Sequence, residues 1–507
     1  MGNSEKGRRN FREGGFWVKK KGFLKLVLPI SLIAAMVVAF FTGCLPGQPA
    51  AAPPPVTPPV TPGAPAAGGL TEDELTILGQ LVNSNEPGVE YPIGPTINVG
   101  FCAPLSGPDA GWGIPGICGM NIFIDIVNKT GGLLVGGTRY PLKMYEFDDE
   151  AIPSKALQGV MKLVLENDVK FIAAVGGGCS DAVHPYLTEK KVVYSTLGVC
   201  DINPDRPYCI AGGDVALRLE MLRPLIVKNF LPGPDQLGRK LKYAITSQDD
   251  YIGRVYQAWE VGGAIAEGWE IVYDKHFSME TTDFAPVATA MMATNPDAIS
   301  LGLCYPTFQT MLWEQLYLQG WEGPITQNYV DWEANLAKVP PEYAAKCLGI
   351  DSYPLMSDPW WGEPSWPHAF TRLWNARYGP GAPEDVHRHE TGIDWDHVVD
   401  FTPWCWGAQT WGLTHQGEGF PSNDEIMQTL RAAGSFPTII GPGCMSGKDI
   451  QGIDNMISTT IPLCKFDLAT GDKRIFISMD YEHWFDTRKD IVIPVVEARG
   501  QMYYQRR

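Results

Sequence analysis

From residue 96 the chain alternates short apolar runs, rich in β-branched and aromatic residues, with stretches whose apolar positions recur at helical spacing. INVGFCAPL predicts a first strand, after which Ile122, Phe123, Ile126 and Val127 share one helical face. LKMYEFDD predicts the next strand and SKALQGVMKLVLEN the next helix, with Ser154 placed to cap it. KFIAAVGGG and KVVYSTLG are continuously apolar, as strands buried on both faces of a parallel sheet must be. After about residue 214 the rhythm restarts. LKYAITS, EIVYDKHF and AISLGLC read as strands, and IGRVYQAWEVGGAIAEG, DFAPVATAMMATN and FQTMLWEQLYLQG as helices. Two α/β units stand in tandem, and the βαβα order predicts a doubly wound, Rossmann-like layer in each. From roughly 355 to 411 the pattern loosens into a region holding eight of the sixteen tryptophans. TLRAAG, TIIGPG and IPLCKFD then resume short elements, and RIFISMDYEHWF to IVIPVVEA predicts terminal strands.

The amino-terminal segment follows a different rule. Residues 24–41 are apolar apart from Lys25 and follow the basic run Lys19, Lys20, Lys21, which is the layout of a secretory signal. The stretch is nearly long enough to span a bilayer, so an uncleaved membrane helix is the rival reading. Thr42, Gly43 and Cys44 resemble the end of a bacterial lipobox, although Phe41 stands where an aliphatic residue is usual. That resemblance implies a signal peptide over 1–43 and a lipid on Cys44. The uncharged Pro/Ala-rich run after Cys44 has no periodicity with which to bury a face, and reads as a tether and linker over 44–92.

Length and composition narrow the function. At 507 residues the chain exceeds what one core supports, and 45% hydrophobic with 19% charged residues places it among folded globular proteins. The net charge of −17 is uneven, because the first 25 residues carry eight basic side chains against two acidic ones. An acidic body without a basic stripe disfavours nucleic acid as a partner. Setting Cys44 aside leaves ten cysteines in an exported chain, so most are expected to be bridged. Cys200 and Cys209, flanking the turn NPDRPY, are the best local pair. No CxxC or zinc spacing occurs among them.

APLSGPDAGWG at 103–113, VNKTGGLLVGGTRYPLKMYEFDDEAIPSKA, DDYIG at 249–253, ETTDFAPVATAMMATNPDAISLGL, FQTMLWEQLYLQGWEG and TIIGPGCMSG resemble, in order and spacing, the leucine/isoleucine/valine-binding family of periplasmic and lipoprotein receptors. The resemblance covers most of residues 96–465. It implies two α/β lobes joined by three crossover strands, with a small solute in the cleft and hinge closure over it. The lobes are then discontinuous, the first at 93–212 and 355–455, the second at 213–354 and 456–507. It further implies an extracytoplasmic, lipid-anchored monomer without cofactor, serving the membrane permease of an ABC importer. The segment beyond about 470 exceeds the family core.

VGGGCSD at 175–181 follows a buried strand and precedes a helix, an arrangement that presents backbone amides to an anion; a simple tight turn is the other reading. Here the family places donors for a ligand carboxylate, which implicates Gly178, Cys179 and the hydroxyl of Ser180. The resemblance also implies aromatic contacts from Trp112, Tyr251 and Tyr305. Cys200 stands about where the family often has Thr. Tyr329 stands about where branched-chain binders carry the acid that pairs with an ammonium, with Asp331 two residues away. Amino-acid specificity therefore does not carry over, and the expected solute is an amino acid or an aromatic acid.

Two other classes share parts of this sequence. HRHETGIDWDH at 387–397 gathers His387, His389, His397, Glu390, Asp394 and Asp396, which could serve a metal-dependent enzyme, but its spacing matches no metal motif. No G-x-S-x-G, H-E-x-x-H or phosphate-binding loop is present, and GPGCMSGKD lacks the first glycine and the hydroxyl after Lys448. A sensor that binds the same solute without transport would carry the whole site.

Overall fold

The computed structural model describes residues 70–81, 89–107, 110–196, 202–211, 215–384, 395–459, 461–479 and 481–506. Its first lobe is built on a parallel sheet. β1 (Ile97–Ala103) leads to the buried helix Ala110–Lys129, the hairpin β2 (Leu133–Val135) and β3 (Thr138–Tyr140), and β4 (Leu142–Asp148). β5 (Phe171–Val175), β6 (Val193–Thr196) and β7 (Cys209–Ile210) complete the order β4-β1-β5-β6-β7, all parallel. The five residues of β5 are all buried, as its unbroken apolar run requires. The second lobe holds β8 (Lys242–Gln248), β9 (Glu270–Phe277), β10 (Ala298–Ser300) and β11 (Ile325–Thr326), a parallel sheet of order β11-β10-β8-β9.

Much of the described Trp-rich region is core of the first lobe. It forms the helices Trp366–Tyr378 and Asp396–Gly412, with Trp374, Trp395 and Trp404 fully buried. Trp404 stacks on Phe401 at 5.6 Å and both rings reach Phe171 of β5. Pro367 and Pro403, together with Gly407, interrupt the apolar spacing that would have announced these helices. β12 (Phe436–Thr438), β13 (Gly441–Ser446) and β14 (Met456–Thr459) form a small antiparallel sheet beside them.

Three crossovers join the lobes, and their backbones are tied together. Ala211 bridges Met456 and Asp351 bridges Cys464, the latter in β15 (Ile461–Asp467), which pairs with β16 (Asp472–Met479). Lys473 and Asp351 form an ion pair there at 3.4 Å, both buried.

Three expectations change. Residues 72–81, placed in the linker by composition, form a helix that buries Ile77 and Leu78 and packs against the Trp366–Tyr378 helix. IVIPVVEA lies in the helix Lys489–Ala498, not a strand: Val492 and Val496, one turn apart, are buried against the helix Tyr251–Ala266, where Gly262 leaves room for Val492. Nor does a disulfide join any two of the nine described cysteines. Eight of these are buried on separate elements, where a thiol packs as a small apolar group. Cys44 and Cys200, and with the latter the proposed Cys200–Cys209 bridge, lie outside the described residues.

Candidate functional site

A cavity of about 160 Å³ lies where the carboxyl ends of both parallel sheets face each other. From the first lobe it is lined by Pro104 and Trp112 after β1, Ala151 after β4, and Gly176, Gly178 and Cys179 after β5. The second lobe contributes Gln248 at the end of β8, Ile252 and Tyr256 after it, Leu303, Cys304 and Tyr305 after β10, and Asn328 after β11, while Tyr353 enters from a crossover. Not one of these side chains is charged.

The turn after β5 shapes the first-lobe wall. Ala174 takes φ +70 within β5, a left-handed conformation that a non-glycine residue adopts only when its surroundings hold it, and its amide donates to the Ser195 hydroxyl at 3.1 Å. The helix Gly177–Lys190 begins three residues after Ala174. The amides of Cys179 and Ser180 close onto the Gly176 carbonyl, so Gly177 and Gly178 supply the leading amides of the helix. A Cβ built at Gly176 or Gly178 meets no atom within 4 Å, so these glycines keep cavity space open rather than relieve a clash. The helix N-terminus thus offers donors and a positive dipole end to an anion.

Aromatic rings close the other sides. Trp112 lies 5.6 Å from Tyr329 and 6.5 Å from Tyr353, and the two tyrosines lie 5.7 Å apart. These contacts span both lobes and the crossover. Gln248 is committed internally: its amide nitrogen donates to Asp250 at 2.6 Å and its oxygen accepts from the Tyr305 amide at 2.9 Å.

Of the residues singled out from sequence, Trp112, Gly178, Cys179 and Tyr305 meet in this cavity. Tyr329 stands behind it, buried, in ring contact with Trp112. Ser180 does not reach the cavity. It is fully buried and its hydroxyl accepts from Arg206 at 2.7 Å, because the helix turn that aims Gly178 and Cys179 at the cleft carries Ser180 to the opposite side. Tyr251 is also displaced. It lines a separate polar pocket with Asp181, His184 and Arg206, while the helical register turns Ile252 and Tyr256, four apart, toward the cleft. Asp331 is an N-cap whose carboxylate accepts from the Ala334 amide at 3.0 Å, which occupies it in folding. Cys200 lies outside the described residues.

Pro104, Ala151, Ile252, Tyr256, Leu303, Cys304, Asn328 and Tyr353 were not singled out from sequence. Their common signal is position just past the carboxyl end of a parallel strand, which the βαβ pattern marks for all but Tyr353. Of the metal alternative, His387, His389, Glu390 and Asp394 lie outside the described residues; among the described residues no group of three or more His, Cys, Asp or Glu is placed to hold a metal ion. His397 sits in the first-lobe core, 5.3 Å from the Phe101 ring and against Gly116, and its burial pushes the imidazole down to about 3.

Comparison with known proteins agrees with this fold. Among curated proteins none matches the sequence. A solved ABC transporter substrate-binding protein from Sphaerobacter thermophilus is similar at 16% identity and TM-score 0.59, over 76% of this chain and 98% of its own. A solute-binding protein of an ABC transporter from Rhodopseudomonas palustris BisB5, solved with 3,4-dihydroxybenzoic acid, is similar at 18% identity and TM-score 0.58, over 76% and 98%. Another from R. palustris, solved with 4-hydroxybenzoate, gives 18% and 0.58, over 76% and 97%. The family model described as periplasmic binding protein matches residues 96–462, and the chain belongs to that family, in its leucine/isoleucine/valine-binding form with two Rossmann-like lobes.

Proposed function

We propose that this chain is the extracytoplasmic solute receptor of an ABC importer, tethered through a lipid on Cys44, and that its cleft takes a small aromatic carboxylate. The observation that carries the reading is the cavity itself: a helix N-terminus on one lobe, aromatic side chains around it, and no charged side chain among the described residues of the lining. A carboxylate gains charge-assisted hydrogen bonds from the Gly177 and Gly178 amides and the dipole of their helix. An aromatic ring fills the space beside Trp112, Tyr305 and Tyr353. An amino acid would bring an ammonium to a lining whose described residues offer it no carboxylate, and those residues favour an aromatic acid over an amino acid. The two R. palustris neighbours, solved with hydroxylated benzoic acids, support this class of solute.

Hinge closure accounts for entry. The cavity is formed by both lobes, and the crossovers near Ala211, Asp351 and Met456 are the segments about which the lobes would part. Titration calorimetry against benzoates, branched-chain amino acids and sugars tests the assignment. Micromolar binding of a benzoate with no heat from leucine is the expected result; tight binding of an uncharged sugar or of leucine alone would overturn it.

A further inference from the structure

Beneath the second-lobe wall of the cavity lies a chain of buried ionic groups that the cleft geometry alone does not explain. Glu220 and Arg223 come from the helix Val215–Lys228, Glu260 from the helix Tyr251–Ala266, and Tyr243 from β8. All four are fully buried. Arg223 pairs with Glu220 one turn away and with Glu260 at 2.7 Å, and the Tyr243 hydroxyl donates to Glu260 at 2.6 Å. Two carboxylates thus share one guanidinium. Burying such a set costs desolvation that apolar packing would avoid, so its retention points to a task beyond stability.

The arm of this chain that reaches the cavity is Asn328. Its side-chain nitrogen donates to Glu220 at 3.2 Å, and the residue is 2% exposed where it lines the cleft. Its backbone is fixed as well, because the Ser352 hydroxyl donates to its carbonyl at 3.0 Å. A carboxylate accepts and never donates, so only the NH₂ edge of the amide can face Glu220. The amide oxygen is left for the cavity side. Gln248, the other amide in the lining, has both ends engaged, as described above.

We propose that Glu220 is a positioning residue that locks the Asn328 amide with its oxygen toward the cleft, and that Asn328 thereby selects solutes carrying a hydrogen-bond donor, such as a phenolic hydroxyl, at the end remote from the carboxylate. This rests on the aromatic-carboxylate reading of the site. An acceptor closed into a desolvated cavity must be met by a donor, and a site built to bond a hydroxyl rejects the analogue that lacks it. The locked orientation adds a second discrimination, since an ether oxygen at the same place would face the amide oxygen, acceptor against acceptor.

Calorimetry with benzoate, 3- and 4-hydroxybenzoate and their methyl ethers tests this on the intact chain, on Asn328→Leu and on Glu220→Gln. The wild type is expected to favour at least one hydroxybenzoate over both benzoate and its methyl ether by about tenfold. Asn328→Leu should erase that preference while holding benzoate within about threefold. In Glu220→Gln the new amide can donate to the Asn328 oxygen and release the lock, so the margin of hydroxyl over ether should shrink. A purely structural role for either residue would move every affinity together. An undiminished hydroxyl preference in Asn328→Leu overturns the inference and leaves the carboxylate reading standing. Failure of the wild type to bind any benzoate overturns that reading and the inference with it.

Discussion

The Arg206 guanidinium donates to the Ser180 hydroxyl at 2.7 Å and pairs with Asp181 beside it, pinning the first turn of the Gly177–Lys190 helix from behind. The cleft uses the front of that turn, where Gly178 and Cys179 face the cavity. Ser180 therefore supports the turn without lining the cavity. Ser180→Ala should leave solute affinity within about twofold. It should lower stability by about 1 to 3 kcal/mol, because a buried guanidinium loses an acceptor. Denaturant unfolding alongside calorimetry separates the two, and an affinity loss of tenfold with unchanged stability would place Ser180 in the site after all.

Gly178 carries the opposite expectation. A Cβ built there meets nothing within 4 Å, so alanine fits without a clash and takes volume from a cavity of about 160 Å³, and the branched side chain of valine takes more. Alanine also removes the backbone entropy that glycine brings to a helix, up to about 1 kcal/mol. Gly178→Ala should thus be as stable as the wild type or more so, while Gly178→Val should weaken binding at least tenfold. Unchanged affinity in Gly178→Val would show that the ligand lies elsewhere.

Much of this was legible from residues alone, and the misses share a cause. The continuous apolar runs KFIAAVGGG and KVVYSTLG gave their burial away, and the glycines after β5 marked a turn that lines the cavity. Direction within a turn was not legible. Gly178 and Ser180 are two residues apart, about 200° around a helix, and family spacing does not say which faces the cleft. The same one-position ambiguity separates Tyr251 from Ile252 and Tyr256. Asn328 gave no signal because its meaning depends on Glu220, 108 residues earlier. IVIPVVEA misled because its β-branched composition favours a strand, while the packing of Val492 and Val496 on a glycine-bearing helix decides for a helix.

Asp331 offers a test of how the ammonium question is settled. Its carboxylate accepts from the Ala334 amide and caps the short helix Trp332–Leu336. Asp331→Asn preserves the cap acceptor, so both stability and binding should hold. Asp331→Ala should cost about 1 kcal/mol of stability with affinity unchanged. A loss of binding in Asp331→Asn, measured by calorimetry, would instead make the carboxylate a ligand contact and restore an ammonium-bearing solute.

Asp396 and His397 begin the core helix of the first lobe, and their pH dependences oppose each other. Both are buried, and the Oδ1 of Asp396 and the Nε2 of His397 have no hydrogen-bond partner among the described residues. Burial pushes the Asp396 carboxyl up from 3.8 to about 7 and the His397 imidazole down from 6.5 to about 3. For Asp396 the folded pKa is the higher one. Its contribution is intact below about pH 4 and is lost as pH rises toward 7. For His397 the folded pKa is the lower one, so its contribution is intact above about 6.5 and is lost as pH falls toward 3. Between about pH 4 and 6.5 the unfolded chain carries one proton fewer at the aspartate and one more at the histidine, and the two slopes cancel. Asp396→Asn removes the falling slope and leaves the rising one. Relative to the wild type, its unfolding free energy should climb with pH across that window by up to 1.4 kcal/mol per unit, reaching an advantage of about 4 kcal/mol at most by pH 7. Urea unfolding of both proteins at pH 4.5, 5.5, 6.5 and 7.5 measures the difference, and parallel stability curves would show that Asp396 titrates as an ordinary carboxylate.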